Sequence, residues 1–272
     1  MLDIQAYPLQ EQHLAAAADF LRQSMAGQQR LFEQLEAAWQ EMQATRDASR
    51  FLYVRYSVME TTAAAYATRD RVVFDAAVDS MLAHALPVDA DWYRPTAAQL
   101  GVDLAVALSC RQEGRAHALG RQILQHTPDD GAPVPEDWQA RVLARLFDLD
   151  YDGAADALAR MGQAIDAARL PRHEAALLAA WREAAACVVT RTDVPLADAL
   201  RRMSQLRTVY VEKMLVRWSK GQSTDLSPLD FWDCQAGALA VLARSLGLAQ
   251  ALVPAELPFA DWQWTEGTRA WA

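Results

Sequence analysis

The sequence lacks the features that mark membrane-spanning, secreted and disulfide-rich proteins. No stretch approaches the roughly 20 apolar residues that a transmembrane helix needs, so we expect no membrane span. The first residues, MLDIQAYPLQEQ, show no basic region followed by an apolar run, which argues against a secretory signal. The three cysteines, Cys110, Cys187 and Cys234, lie in apolar helical segments and predict buried small side chains, not a disulfide framework. We therefore expect a cytoplasmic protein.

Motifs of several enzyme classes are also missing. With 11 glycines the chain has no glycine-rich phosphate loop, and it has no Gly-x-Ser-x-Gly elbow and no DDxxD motif. The segment His173-Glu174-Ala-Ala-Leu177 begins like a zinc-protease motif, but Leu177 stands where the second histidine is required. No histidine is at a metal-ligand spacing from another histidine or from a cysteine. We expect no cofactor, no metal and no catalysis; an all-α enzyme of unknown reaction is the alternative.

Positive charge is scarce, and only Lys213 and Lys220 are lysines. Lys and Arg together number 26 against 35 acidic residues, which gives a net charge of -9 and a pI near 5.0. Binding of phosphate groups needs clustered basic residues, so nucleic acid is not expected as a direct ligand and a basic protein is the more natural partner. A hydrophobic content of 52% and a charged content of 22% are ordinary for a globular chain that folds by itself.

Apolar residues recur at three- and four-residue steps along most of the chain, and the alternation typical of strands is absent. One such segment, from Phe51 to Tyr66, places Phe51, Tyr53, Val54, Val58 and Ala65 in the apolar set. We predict an all-α protein, an irregular bundle of about ten antiparallel helices that is partly repeat-like but has no fixed repeat period. It is interpreted as a single domain over residues 1–272.

Local signals mark several helix boundaries. Thr96 and Gln99 have the spacing of a capping box at a helix start. Ser227 and Pro228 have the pattern of a cap and a first helical residue, and the last helix is predicted to extend from Pro228 to Leu246. Trp218 and Trp232 are predicted to pack in the core between the last helices. The segment TPDDGAPVPE, residues 127–136, has three prolines and a glycine and is a candidate hinge or exposed loop.

The stretch FDLDYDGAADAL, residues 147–158, has part of the spacing of a calcium-binding loop. Asp148, Asp150 and Asp152 occupy the first three ligand positions, but Ala159 replaces the closing Glu, so the ligand set is incomplete. The residues that follow are typical of a helix that begins at once. We therefore favour a connector between two helices in which Asp152 is the N-cap.

The segment from Thr224 to Trp264 reads as a loop, an aromatic-led helix with small residues (FWDCQAGALAVLA), a glycine at its end and a proline-rich exit (VPAELPF). In these features it resembles the C-terminal region of helical immunity proteins of bacterial polymorphic toxin systems, especially the immunity protein 49 family. The likeness covers about 40 of the 272 residues.

This resemblance implies a protein without catalysis that binds the toxic domain of a cognate secreted effector and blocks its active site. Many such toxins are nucleases with basic grooves, which an acidic inhibitor could occupy. Alternatives are a helical-repeat adaptor for proteins or peptides and, for the acidic residues, ordinary solvated connectors. The candidate contact residues form two acidic loops and a C-terminal tail that could also fold back onto the domain: Asp129, Asp130, Glu136, Asp137, Asp148, Asp150, Asp152, Trp262, Trp264 and Glu266.

Overall fold

The computed structural model describes residues 7–25, 28–85, 95–125, 134–222, 226–248 and 252–261. Within these ranges the chain forms eleven α-helices and two short 3₁₀ helices, and no β-strand. Most helices pack against the next helix in the chain. The all-α helical bundle predicted from the sequence is thereby confirmed. No helix in these ranges combines the length and the apolar character needed to cross a membrane.

The helices are numbered in chain order. Their bounds are α1 Glu11–Ser24, α2 Gln28–Thr45, α3 Ser49–Ala67, α4 Arg71–Ala83, α5 Ala97–Ser109, α6 Glu113–Gln125, α7 Pro135–Phe147, α8 Tyr151–Ala167, α9 Arg172–Thr190, α10 Asp193–Ser219 and α11 Cys234–Ser245. The two 3₁₀ helices are Pro228–Phe231 and Pro254–Glu256.

The chain divides into two compact units. Unit 1 comprises Met1–Arg94 and Thr208–Asp233, and unit 2 comprises Pro95–Arg207 and Cys234–Ala272. Helix α10 therefore contributes its first part to unit 2 and its last part to unit 1. The interpretation of residues 1–272 as one domain stays a prediction, and so does the hinge at 127–136. In that segment the described residues are 134–136, and α7 begins there with Pro135.

Aromatic rings form much of the core of unit 1. The ring of Phe231 lies 5.9 Å from that of Tyr7 and 6.1 Å from that of Phe20, and Phe20 also meets Trp218 at 5.4 Å. The hydroxyl of Tyr7 donates a 2.7 Å hydrogen bond to the carbonyl oxygen of Phe231, so its polar end is satisfied inside the core. These contacts hold α1 and the 3₁₀ helix Pro228–Phe231 together.

Small residues form the closest helix contacts of unit 2. Gly101 of α5 lies against Ala140 of α7, so close that a Cβ on Gly101 would be only 3.1 Å from the Ala140 Cα. Gly237 of α11 faces the side chain of Ser109, whose Oγ donates to the carbonyl oxygen of Cys234. The absence of large side chains at these positions lets the helix backbones approach closely.

The C-terminal region differs from its prediction. Ser227 caps a helix start as predicted, but it begins the 3₁₀ helix Pro228–Phe231, and α11 starts only at Cys234. Trp232 between them has extended backbone, and its buried ring packs 5.7 Å from Tyr66 and 5.4 Å from Phe74, on helices α3 and α4. The prediction of one continuous last helix is wrong, because burial of this ring requires the chain to leave the helical path.

Candidate functional site

The five described members of the predicted acidic loops do not form one patch. Glu136 and Asp137 lie in the first turn of α7, whereas Asp148, Asp150 and Asp152 lie at its end and at the start of α8. The 13 residues of α7 span about 20 Å at 1.5 Å per residue, so the two groups stand at opposite ends of one helix. One compact contact surface cannot be built from both.

Asp137 has a structural role. Its Oδ1 accepts a 2.9 Å hydrogen bond from the backbone N–H of Ala98, in the first turn of α5, and its Oδ2 accepts one of 3.2 Å from the N–H of Val134. A helix start leaves N–H groups without partners inside the helix, and this single carboxylate satisfies one at each of two helices. Asp137 therefore joins α5 and α7, and its two oxygens already have partners.

Asp150 has a similar role at the next connection. Its Oδ1 accepts a 2.9 Å hydrogen bond from the N–H of Gly153, and its Oδ2 forms an ion pair with Arg145. The bond from Gly153 first, and the bond from Arg145 second, hold the pKa of the Asp150 carboxyl below its usual value. Asp150 is therefore the N-cap of α8, and the prediction of Asp152 as N-cap is wrong by two residues.

This connection is not arranged as a calcium loop. Because α8 begins at Tyr151, Asp152 already belongs to the helix, and the Asp150 carboxylate is engaged by the cap and by Arg145. Across the described part of the chain, no three His, Cys, Asp or Glu side chains are grouped so that they could hold a metal ion. The segment is a helix connector, as favoured from the sequence.

The other acidic candidates lie on the surface or outside the described residues. Asp148 is exposed, with His117 Nδ1 3.9 Å away, and Asp152 is exposed on the first turn of α8. Between them stands Leu149, 59% exposed, in the left-handed backbone region with φ 60°. The remaining candidates fall outside the described ranges: Asp129, Asp130, Trp262, Trp264 and Glu266.

Helix α3 exposes two aromatic side chains. Tyr53 is 74% exposed and Tyr56 is 48% exposed, and neither side chain makes a hydrogen bond or ring contact with another described residue. The apolar pattern of the sequence includes Tyr53, but in the structure its side chain is exposed. At helical spacing, Tyr53, Tyr56, Ser57 and Glu60 share one side of α3, which we call the α3 face.

A pocket of about 380 Å³ opens where the α3 face meets α1, α2 and the segment before the 3₁₀ helix Pro228–Phe231. All of its lining residues belong to unit 1. Its apolar lining is Phe20, Leu31, Leu226 and Pro228; its polar lining is Ser24, Arg30, Gln34, Ser57, Glu60 and Thr61. A concave site of this size with a few convergent polar groups is typical of ligand sites.

Three polar residues of this pocket, Ser24, Ser57 and Glu60, present hydrogen-bond acceptors. Ser24 Oγ donates its proton to the carbonyl oxygen of Phe20 at 3.0 Å, and Ser57 Oγ donates to that of Tyr53 at 3.3 Å. Each hydroxyl has a single proton, so towards the pocket these two oxygens can only accept. Glu60 accepts a 3.0 Å bond from Ser227 Oγ through its Oε1.

Thr61 is the deeply buried polar residue of the pocket wall. The residue is only 1% exposed, and its hydroxyl forms no hydrogen bond with any part of the chain that the structure describes. A buried hydroxyl without a partner costs about 1–3 kcal/mol.

The pocket has the chemistry of a binding site. Its described lining residues include no histidine or cysteine, and its serine hydroxyls donate to backbone carbonyl oxygens, so no activated nucleophile is assembled there. Its groups could hold a ligand that donates hydrogen bonds.

Sequence reasoning missed the pocket and the α3 face. The signal was weak because FLYVRYSVMETTAAAYA is apolar on most sides, so periodicity does not say which residues are covered. Comparison with known proteins adds no relative, since no protein-family model, no curated protein and no solved structure matches this chain.

Proposed function

We propose that this protein acts without catalysis, by binding the toxic domain of a secreted bacterial effector and covering its active site. The observation that supports a binding role best is the α3 face, where two exposed tyrosines stand beside an acceptor-lined pocket. The resemblance of the C-terminal segment to helical immunity proteins supplies the class of partner.

Tyrosine is well suited to a contact surface of this kind. Its ring offers a large apolar area at a low cost in side-chain entropy, and its hydroxyl can bond to a partner at the edge of the contact. The rings of Tyr53 and Tyr56 have no contact with other described rings, so their area is free for a partner. Aromatic residues of this type are common among those that dominate binding energy.

The charge of unit 1 agrees with a basic partner. Its sequence contains 17 acidic and 11 basic residues, against 18 and 15 in unit 2, so most of the net charge of -9 belongs to the unit with the α3 face. A nuclease toxin must carry a basic groove to hold phosphate. An acidic surface would speed the encounter with that groove and compete with the substrate.

The exposed acids of the connection between α7 and α8 form a second proposed contact. Asp148 and Asp152 flank the exposed Leu149, so an apolar side chain stands there between two carboxylates. Asp137 and Asp150 are bound within the fold and would influence a partner only through the positions of α5, α7 and α8.

The test is co-expression with toxic domains encoded beside the gene of this protein, scored as growth rescue and followed by affinity measurement with purified proteins. We expect the double substitution Tyr53→Ala, Tyr56→Ala to weaken binding about tenfold or more, because truncating dominant aromatic contacts costs about 2 kcal/mol or more. The matched control is Val72→Ala, which removes an exposed apolar side chain from α4 in the same unit.

The double substitution Asp148→Lys, Asp152→Lys tests the connection between α7 and α8. Its control is Asp166→Lys, near the end of α8. Absence of rescue by the unaltered chain with every such toxic domain would refute the toxin-binding function. If rescue survives the tyrosine substitutions, the contact with the toxic domain lies outside the α3 face. If affinity is unchanged after charge reversal at Asp148 and Asp152, the connection between α7 and α8 is excluded as a contact.

A further inference from the structure

We infer that the unit 1 pocket receives the side chain of a lysine or arginine from the partner protein. This inference rests on the proposed function, because it names what the partner inserts beside the α3 face. Four features of the pocket support it: the acceptor oxygens, the unpartnered hydroxyl of Thr61, the carboxylate of Glu60 and the apolar wall.

The oxygens select a ligand that donates hydrogen bonds. The hydroxyl groups of Ser24 and Ser57 already donate to backbone carbonyl oxygens, so they can bond to a ligand only as acceptors. An ammonium group brings three donors and no acceptor, and a guanidinium group brings five.

The hydroxyl of Thr61 gives an independent reason for a ligand. It is buried in the pocket wall and has no hydrogen-bond partner in the described chain. The oxygen has almost no accessible surface, so a donor in the pocket would bond to it after a small shift of the wall side chains, and that bond would remove the cost of leaving it unsatisfied. This hydrogen bond forms only when a ligand is bound, so it favours the ligand-bound state of the pocket.

Charge and shape agree with a long basic side chain. Glu60 uses Oε1 to accept from Ser227, so Oε2 can pair with a cation. Phe20, Leu226 and Pro228 offer buried apolar surface to the methylene stem, which lysine and arginine commonly lay along apolar groups. The volume of about 380 Å³ is near the lower end of ligand sites, which suits one long side chain.

Arg30 is the cationic residue in the described lining and distinguishes two sources of the ligand. Its side chain is exposed, and no ion pair joins it to Glu60. A free amino acid would bring a carboxylate that Arg30 could bind, whereas a side chain within a partner protein brings none. Removal of the Arg30 charge should therefore weaken binding of a free amino acid and leave a partner's side chain bound equally well or better.

The experiment measures binding of four probes to the full chain by calorimetry: N-acetyl-arginine N-methylamide, the equally blocked lysine, free L-arginine and N-acetyl-norleucine N-methylamide. We expect the blocked arginine to bind and the uncharged norleucine derivative not to bind. Glu60→Gln should weaken binding of the blocked arginine about tenfold, because a charge-assisted hydrogen bond is replaced by a neutral one. The matched control, Glu33→Gln, changes an exposed acid of α2 outside the pocket lining and should leave binding unchanged.

Thr61→Val separates a binding role from a structural one. Valine has nearly the same shape and no hydroxyl, so we expect a Tm that is unchanged or higher together with binding of the blocked arginine that is about threefold weaker. Arg30→Gln should leave that binding unchanged or tighter. A residue that merely supported the fold would instead lower the Tm.

The inference is overturned if neither the blocked arginine nor the equally blocked lysine binds at its solubility limit, or if Glu60→Gln leaves the affinity of the bound probe unaltered. Preference for free arginine, lost in Arg30→Gln, would also overturn it and assign the pocket to a free amino acid. These measurements need no toxin, so they can fail while growth rescue succeeds. Conversely, if the probe binds but no toxic domain is neutralised in the growth experiment, the toxin-binding function is refuted and the unit 1 pocket is still a site for a cationic side chain.

Discussion

The two units bury their helices with different kinds of side chain. In unit 1 the rings of Tyr7, Phe20 and Phe231 meet at centroid distances near 6 Å. In unit 2 a glycine of α5 lies directly against Ala140 of α7, and a glycine of α11 lies against Ser109. At these contacts unit 1 is packed by large planar groups and unit 2 by the approach of helix backbones, while Trp181 and Phe259 are also buried in unit 2.

This difference bears on where a ligand can bind. The described pocket lies beside one of the rings of unit 1, Phe20, which meets Trp218 edge to face. The glycine contacts of unit 2 leave no room for even one added methyl group at Gly101. The described pocket therefore lies in the unit with the ring contacts, whereas the Gly101 contact of unit 2 holds α5 and α7 close together.

The largest effect is expected from Phe231→Ala in unit 1. Phe231 is fully buried and contacts Tyr7 and Phe20, so its truncation should cost about 3–5 kcal/mol of unfolding free energy in urea denaturation. We expect faster amide hydrogen exchange mainly in unit 1. The control Val209→Ala, at an exposed site of the same unit, should have little effect. An equal rise of exchange in both units would show that they unfold together, as expected of a single domain.

Two Gly→Ala substitutions in unit 2 are expected to change stability by smaller amounts and in opposite directions. Gly101→Ala should destabilise by about 1–3 kcal/mol, because its Cβ would overlap Ala140 and force α5 and α7 apart. The same change at Gly114, where a Cβ meets open space on α6, should stabilise by about 0.5–1 kcal/mol through helix propensity. Thermal unfolding followed by circular dichroism measures both, and equal effects would contradict close packing at Gly101.

The smallest effect concerns the two neighbouring acids at the start of α7. Asp137→Ala removes the acceptor of two backbone N–H groups and should cost about 1–2 kcal/mol in urea denaturation. Glu136→Ala, one residue earlier, should change stability by less than about 0.5 kcal/mol, as for other surface sites without such bonds. Similar values for the two variants would contradict the capping role of Asp137.

Much of the fold could be predicted because helix formation is signalled within a few residues. The capping box of Thr96 and Gln99 is formed, with both of its hydrogen bonds present. The cap at Ser227 is also formed, but the prediction failed a few residues later, where burial of Trp232 ends the helical path. Local signals predicted where helices begin better than how far this one continues.

The candidate site was predicted less well, for a related reason. An aspartate in a loop sequence can face solvent, cap its own helix or bond to another helix. The same local sequence pattern is compatible with all three roles, so it does not distinguish them. Asp137 reaches the N–H of Ala98, 39 residues earlier in the chain, which no local pattern announces. The exposure of Tyr53 likewise depends on which neighbours cover α3, and the apolar pattern of the sequence does not contain that information.

By itself, the sequence determined the all-α class, the start of most helices and the excess of negative charge, since these depend on composition and on interactions within one or two helical turns. Only the tertiary structure decided which acids are engaged inside the fold, which tyrosines stay exposed and where Thr61 lines a pocket. Those outcomes depend on the side of each helix that its neighbours cover. That choice is made by contacts between segments far apart in the chain.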